Sequence, residues 1–231
     1  MAEPSPGPLA ILIPAYNCAD TIAAVVNGAR QHVARVLVVD DGSRDATAER
    51  AAAAGAEVLR QPANGGKGAA LRAGMETLVS SDVARVLTMD GDGQHLPDQI
   101  PVLLAASARS PHALIVGARQ VAPGAASPIR LFGNRFANRW VAIACGMTLP
   151  DTQSGFRIYP MPETLALGAA GSHFDFETEV LIRAARGGIL VLSVPVQVYY
   201  PPPAERVSHF RPFLDTVRII RIVLRLILLG R

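Results

Sequence analysis

Apolar runs and amphipathic stretches take turns along the first ninety residues. LAILI (9–13), RVLVV (35–39), EVLRQ (57–61) and RVLTM (85–89) have the length of buried strands, and the first three are each followed by a segment of helical period, near 19–31, 45–54 and 67–80. Strands alternating with helices of this length imply right-handed crossovers, and so an α/β fold with a mainly parallel, Rossmann-like sheet flanked by helices. Ligands of such sheets lie beyond the carboxyl ends of the strands. Three polar clusters fall at those ends: Pro14-Ala15-Tyr16-Asn17, Asp40-Asp41-Gly42-Ser43 and Asp90-Gly91-Asp92. The pattern predicts that they meet in one crevice.

The chain closes on PFLDTVRIIRIVLRLILLGR, whose apolar residues run around a helix with Arg218, Arg221 and Arg225 gathered along one side. Eighteen helical residues would measure ~27 Å, close to a bilayer core, but each arginine would cost ~2.5–3.5 kcal/mol at mid-membrane, so the segment is not expected to span. It has the pattern of a helix lying on an anionic membrane, with packing on the catalytic domain or in a dimer as the alternative.

Composition narrows the class. With 231 residues, half of them hydrophobic, the chain can bury a large core as one domain. Its two cysteines, Cys18 and Cys145, are too few for a disulfide framework and lack metal-binding spacing, which fits a reducing compartment. A net charge of +3 without a dense basic run gives no support to nucleic-acid binding. MAEPSPGPLA has neither a basic n-region nor a long apolar run, so a frayed tail over 1–8 and a cytoplasmic protein are expected. Arginine outnumbers lysine 21 to 1, and the single lysine, Lys67, lies in NGGKGAA.

The polar clusters carry the chemistry. A helix cap explains Ser43 or Asp45, but not two adjacent carboxylates, Asp40 and Asp41, which repel unless donors or a cation face them. ANGGKGAALRAG (63–74) offers backbone that a ligand can approach, a helix N-terminus and Lys67, a plausible diphosphate cradle; it lacks the Ser or Thr of a Walker loop. DGDGQH begins like a calcium loop, but His95 stands where the glycine belongs and Pro101 where the glutamate belongs. A magnesium- or manganese-type ion shared between Asp90, Asp92 and substrate phosphates accounts for it better, with Gln94 as a neutral oxygen ligand.

Taken in order, IPAYN (13–17), VDDGSRDAT (39–47), NGGKGAALRAG (64–74), MDGDGQH (89–95), GAR (117–119), DTQSGFRIYP (151–160) and FETEVLIRAARGG (176–188) resemble the family 2 glycosyltransferases, and within them the polyprenyl-phosphate (dolichyl-phosphate) mannose synthase-like branch. The resemblance covers about residues 9–212. It implies a GT-A catalytic domain over 9–211, followed by a C-terminal amphipathic helix over 212–231, and inverting transfer from a GDP- or UDP-linked sugar with Mg2+ or Mn2+. Carried onto this chain, it places Pro14, Ala15 and Tyr16 against the nucleotide and Asp41 on its base. Gly66 and Lys67 fall near base or diphosphate, Asp90 and Gly91 near ribose or metal, and Asp90, Asp92 and Gln94 around the ion.

The resemblance also implies an acceptor pocket for a lipid phosphate or another membrane-associated acceptor, built from Arg119, Arg130, Asn134, Arg157, Glu177, Arg206 and His209. Asn134 replaces an expected serine and His209 an expected lysine. Such an acceptor would be met by a peripheral protein on the cytoplasmic face of a membrane, alone, with a membrane partner or as a homo-oligomer. Asp151 is the best candidate for a general base, needed by an alcohol acceptor but not by a phosphate, and it could equally shape its loop through an Asx-turn. Two other readings stay open: a sugar nucleotidyltransferase, and a non-catalytic sugar-nucleotide-binding protein.

Overall fold

The computed structural model describes residues 7–120, 138–199 and 212–229. Its strands are β1 (Leu9–Ala15), β2 (Val36–Asp40), β3 (Glu57–Arg60), β4 (Arg85–Thr88), β5 (Leu114–Gln120), β6 (Arg157–Pro160) and β7 (Val191–Gln197). They form one sheet in the order β3-β2-β1-β4-β6-β5-β7. β6 pairs antiparallel with β4 and β5, and every other pair is parallel, so six strands share one direction. Because β6 runs backwards, the loop that leads into it, 151–156, lies at the same end of the sheet as the carboxyl ends of β4 and β5.

Between the strands come helices α1 (Ala19–Arg30), α2 (Thr47–Ala53), α3 (Lys67–Val79) and α4 (Ile100–Arg109). A helix over 138–145 (α5), α6 (Glu163–Ala166), α7 (Asp175–Arg186) and α8 (Pro212–Leu229) follow. Strand alternation feeds two cores. Ala10, Leu12, Leu37, Val39 and Val86 pack with Leu71 and Met75 of α3 and Val180 and Leu181 of α7. Ile11, Ile13, Val36, Val38 and Leu87 pack with Ile22 and Val26 of α1 and Ile100 and Leu103 of α4. A sheet covered on both faces makes its strands read as continuous apolar runs, the signal that the sequence carried.

Gly7 and Pro8, expected in the tail, are tied down. Pro8 O accepts from Ala84 N and Arg85 N, and Gly7 O accepts from Arg85 Nη2.

The C-terminal helix packs on the rest of the chain through one side. Ile219, Ile222, Val223 and Leu226 are buried in the core shared with α7, and Arg186 ties the helix down, donating to Ala144 O at 2.7 Å and Leu226 O at 2.6 Å. Val217, Ile220, Leu224 and Leu228 remain exposed on the other side, with Arg221 and Arg225 exposed beside them. Among the described residues, no helix is long and apolar enough to cross a membrane.

Candidate functional site

The strand-end clusters do meet, and side chain-to-backbone hydrogen bonds join them. Asn17 N–H donates to Ser43 Oγ at 2.9 Å, and Arg44 N–H returns a bond to Asn17 Oδ1 at 2.9 Å, linking the turn after β1 to the turn after β2. Asp41 Oδ1 accepts from Gly65 N–H and Oδ2 from Gly66 N–H, both at 2.8 Å, which draws the glycine loop onto β2. Gly66 has φ +96°, and a side chain there would press within 2.5 Å of Ser172 O, so only glycine fits this entry to α3. Thr21 Oγ1 donates to Gly91 O at 2.6 Å, fastening the turn after β4 to α1.

Two adjacent aspartates therefore do different work. Asp41, expected on the nucleobase, has both oxygens committed to the glycine loop. Asp40 uses Oδ1 to accept from Ser43 N–H at 3.0 Å, and it lines a cleft of about 410 Å³ together with Tyr16, Arg44, Arg60 and Asn64. Consecutive strand residues point to opposite faces, which a sequence reading of DD does not resolve.

Lys67, at the first turn of α3, ion-pairs with Asp90 Oδ1 at 2.7 Å and with Glu177 Oε2, at the start of α7, at 3.0 Å. Glu177 was expected at the acceptor, yet it is buried behind Lys67. Burial would raise the Asp90 carboxyl, but the charge and hydrogen bond of Lys67 outweigh it and hold it below the usual carboxylate range. The Asp90 backbone N–H donates to His95 Nδ1 at 3.0 Å, and the His95 ring stacks on Phe156 with centroids 5.0 Å apart. That hydrogen bond requires a neutral ring, and burial, the largest influence, pushes His95 down to about 4. His95 and Gly155 were not read as site residues, although both stand inside the motifs MDGDGQH and DTQSGFR.

Asp92 lies in the adjoining turn. Its oxygens accept from Gln94 N–H at 3.0 Å and Gln94 Nε2 at 2.7 Å, so Gln94, expected as an oxygen ligand, turns its amide nitrogen to the carboxylate and orients it. Burial, and then the charge of Asp90, push the Asp92 carboxyl up to about 6. Among the described residues no three His, Cys, Asp or Glu side chains gather as a complete metal cage. Two neighbouring carboxylates, one of them strained by unbalanced negative charge, are a donor set that suits a hard divalent ion completing its shell with substrate oxygens.

Across the crevice, Arg119 holds Asp151 from two sides: Nε donates to Oδ2 at 2.6 Å and Nη2 to Oδ1 at 3.0 Å. Asp151 Oδ1 also accepts from Gln153 N–H at 3.0 Å, the Asx-turn alternative. Burial favours its neutral form, but the Arg119 hydrogen bonds and charge prevail and keep it below the usual range, which makes it a weak base. Arg157, expected at the acceptor, is turned into the protein. It is fully buried and donates to the carbonyls of Ser154, Glu177 and Thr152 at 2.6, 2.7 and 2.9 Å, so it holds the 151–156 loop against α7. Arg130, Asn134, Arg206 and His209 lie outside the described residues.

With this arrangement in place, residues 10–161 match the model of glycosyl transferase family 2. The chain belongs to glycosyltransferase family 2. Glycosyltransferase AglJ of Haloferax volcanii is 35% identical over 216 residues, covering 92% of this chain and 69% of that protein. Polyprenol monophosphomannose synthase of Mycolicibacterium smegmatis is 30% identical over 202 residues, covering 80% and 75%. Among solved structures, glucosyl-3-phosphoglycerate synthase of Mycobacterium tuberculosis, in complex with Mn2+, UDP and phosphoglyceric acid, superposes with a TM-score of 0.72 at 21% identity, covering 96% of this chain and 78% of that one. The fold of this family 2 glycosyltransferase is thus GT-A, and its relatives in sequence include enzymes of the polyprenyl-phosphate branch.

Proposed function

We propose that this glycosyltransferase moves a sugar, with inversion, from a nucleoside-diphosphate sugar to a polyprenyl phosphate or a similar membrane-associated acceptor. The observation that carries the reading is the pair Asp90 and Asp92 beyond β4, at the same end of the sheet as a cleft of about 410 Å³ lined by Tyr16 and Asp40. Asp90 and Asp92 would hold Mg2+ or Mn2+, which supplies positive charge for the departing nucleoside diphosphate. Tyr16, Asp40 and the glycine loop bind and orient the donor, while the helix α3 N-terminus adds partial positive charge behind it.

The acceptor side favours an anion over an alcohol. An alcohol must lose a proton to a base, and the best-placed carboxylate, Asp151, is occupied by Arg119. A phosphate is already ionised and needs only positioning, a task suited to the Arg119 guanidinium at the same rim. AglJ and polyprenol monophosphomannose synthase support a polyprenyl acceptor by likeness. The exposed apolar and arginine side of α8 would bring such an enzyme to an anionic bilayer.

The test is turnover of a panel of UDP- and GDP-sugars with polyprenyl phosphate, with Mn2+ and with EDTA. Metal-dependent release of the nucleoside diphosphate with glycolipid formed is expected. Pyrophosphate release from a nucleoside triphosphate, or no product with any donor, would sink it.

A further inference from the structure

Lys67 and Glu177 lie behind the carboxylates assigned above, in an order set by burial. Side-chain exposure falls from 31% at Asp90 to 15% at Lys67 and 7% at Glu177, so Asp90 faces the crevice and the other two back it. Lys67 Nζ reaches Asp90 Oδ1 at 2.7 Å and Glu177 Oε2 at 3.0 Å, and it sits 5.5 Å from the centroid of the Phe174 ring. Glu177 Oε1 is buried with no hydrogen-bond partner among the described residues. Gly155 closes the remaining side: a Cβ there would fall 2.6 Å from Lys67 Nζ, 2.9 Å from Glu177 Oε1 and 3.3 Å from Asp90 Oδ1. The Lys67 ammonium is thus committed to two carboxylates rather than held out towards the crevice.

We infer that Lys67 and Glu177 are positioning residues, a charge-compensated pair that fixes Asp90 and sets the electrostatic potential at Asp90 and Asp92 without touching the donor. The inference rests on the reading that these two aspartates bind a divalent ion. Alone beside Asp90, Lys67 would cancel the charge that attracts the cation; Glu177 shares the ammonium and leaves Asp90 negative. Removing Glu177's charge therefore weakens the cation site, removing Lys67's charge strengthens it, and removing both returns it near its starting point. Arg119, Asp151 and Arg157 face the same region and stay unchanged in every variant, so the comparison isolates the pair.

The experiment is Mn2+ binding to the full chain without nucleotide, by titration calorimetry or electron paramagnetic resonance, for the native protein, Glu177→Gln, Lys67→Met and the double variant. Folding is checked by circular dichroism, and UDP and GDP binding is measured without metal. Expected are roughly tenfold weaker Mn2+ binding in Glu177→Gln, roughly tenfold tighter binding in Lys67→Met, and a double variant within about threefold of native. Metal-free nucleotide affinity should change by less than about twofold, since neither side chain contacts the donor. Single variants that leave Mn2+ affinity unchanged would overturn the inference, as would a Lys67→Met chain that loses metal-free nucleotide binding. If a single variant does not fold, the double variant decides, because it removes both buried charges together; Mn2+ affinity more than about tenfold from native overturns the inference. A native chain that binds nucleotide but no Mn2+ overturns the underlying metal reading and this inference with it.

Discussion

Arg119 and Asp151 meet side-on, guanidinium to carboxylate, and the Arg119 backbone N–H adds a third bond to Asp151 Oδ2 at 3.2 Å. Bidentate pairing of this kind keeps a carboxylate ionised and its lone pairs occupied, the opposite of what a proton acceptor needs. Asp151→Asn is therefore expected to lower kcat/KM by about tenfold through a loosened Arg119, well short of the ~10²–10⁴-fold that loss of a general base brings. Steady-state kinetics across pH 6–9 check it: a larger loss, with disappearance of a basic limb, would restore the base role.

The same pair links folding to pH. The folded Asp151 carboxyl lies below its unfolded value of about 3.9, so its contribution is fully present above that pH and is lost as pH falls through the folded value. Acid unfolding followed by circular dichroism should show a smaller loss of stability as pH falls below about 4 in Asp151→Asn than in the native chain.

Asp92 behaves the other way in the metal-free protein. Burial and Asp90 raise its carboxyl to about 6, so ionised Asp92 opposes folding, and that opposition grows as pH rises from its unfolded value towards the folded one. Asp92→Asn should then raise the Tm of the metal-free chain at pH 7 by about 2–4 °C, corresponding to ~1 kcal/mol after discount for partial exposure. The same variant should abolish Mn2+ stabilisation and cut turnover by at least ~10²-fold. A native-like response to Mn2+ in thermal melts would refute this assignment.

Much of the frame was legible in the sequence, because strands buried on both faces read as unbroken apolar runs and their ends must turn polar. The strand pattern is read only as far as β4: β5 and β7 go unnamed, and β6, the four residues RIYP, owes its reversal to pairing with β4 and β5 rather than to any local pattern. The site was readable as a set of motifs but not as a set of roles. Asp41 takes the N–H groups of the glycine loop while Asp40 lines the cleft, a difference that the pair DD does not announce, and Arg157 looks like a ligand in GFRIY until its three carbonyl partners are seen. Residue type and spacing do not report which donors are already occupied.

Asp41 supplies the clearest case of that difference. Replacing it with Asn sets an amide NH2 against one of two backbone N–H donors, Gly65 and Gly66, and should destabilise the fold by ~1–3 kcal/mol. Asp40→Asn should instead leave Tm within a few degrees, the shift of ~1 kcal/mol, and weaken nucleoside diphosphate binding at the cleft. Thermal melts with and without UDP or GDP separate the two; equal effects on Tm and ligand shift would contradict the division of labour.

α8 allows a last prediction that does not depend on turnover. Its inner side, Ile219, Ile222, Val223 and Leu226, is already covered, so the exposed Val217, Ile220, Leu224 and Leu228 are not needed for folding. Arg221 and Arg225 lie exposed on the same outer side, and apolar surface beside arginines is what an anionic bilayer attracts. Near such a surface each arginine contributes ~1 kcal/mol, so Arg221→Glu with Arg225→Glu, which removes two attractions and adds two repulsions, should weaken binding to phosphatidylglycerol vesicles by at least about thirtyfold. Tm should hold, because both side chains project into solvent, and binding of the native chain should fall as salt is raised through about 0.5 M. Vesicle binding that is unchanged by the two reversals would mean that the outer side of α8 meets something other than lipid.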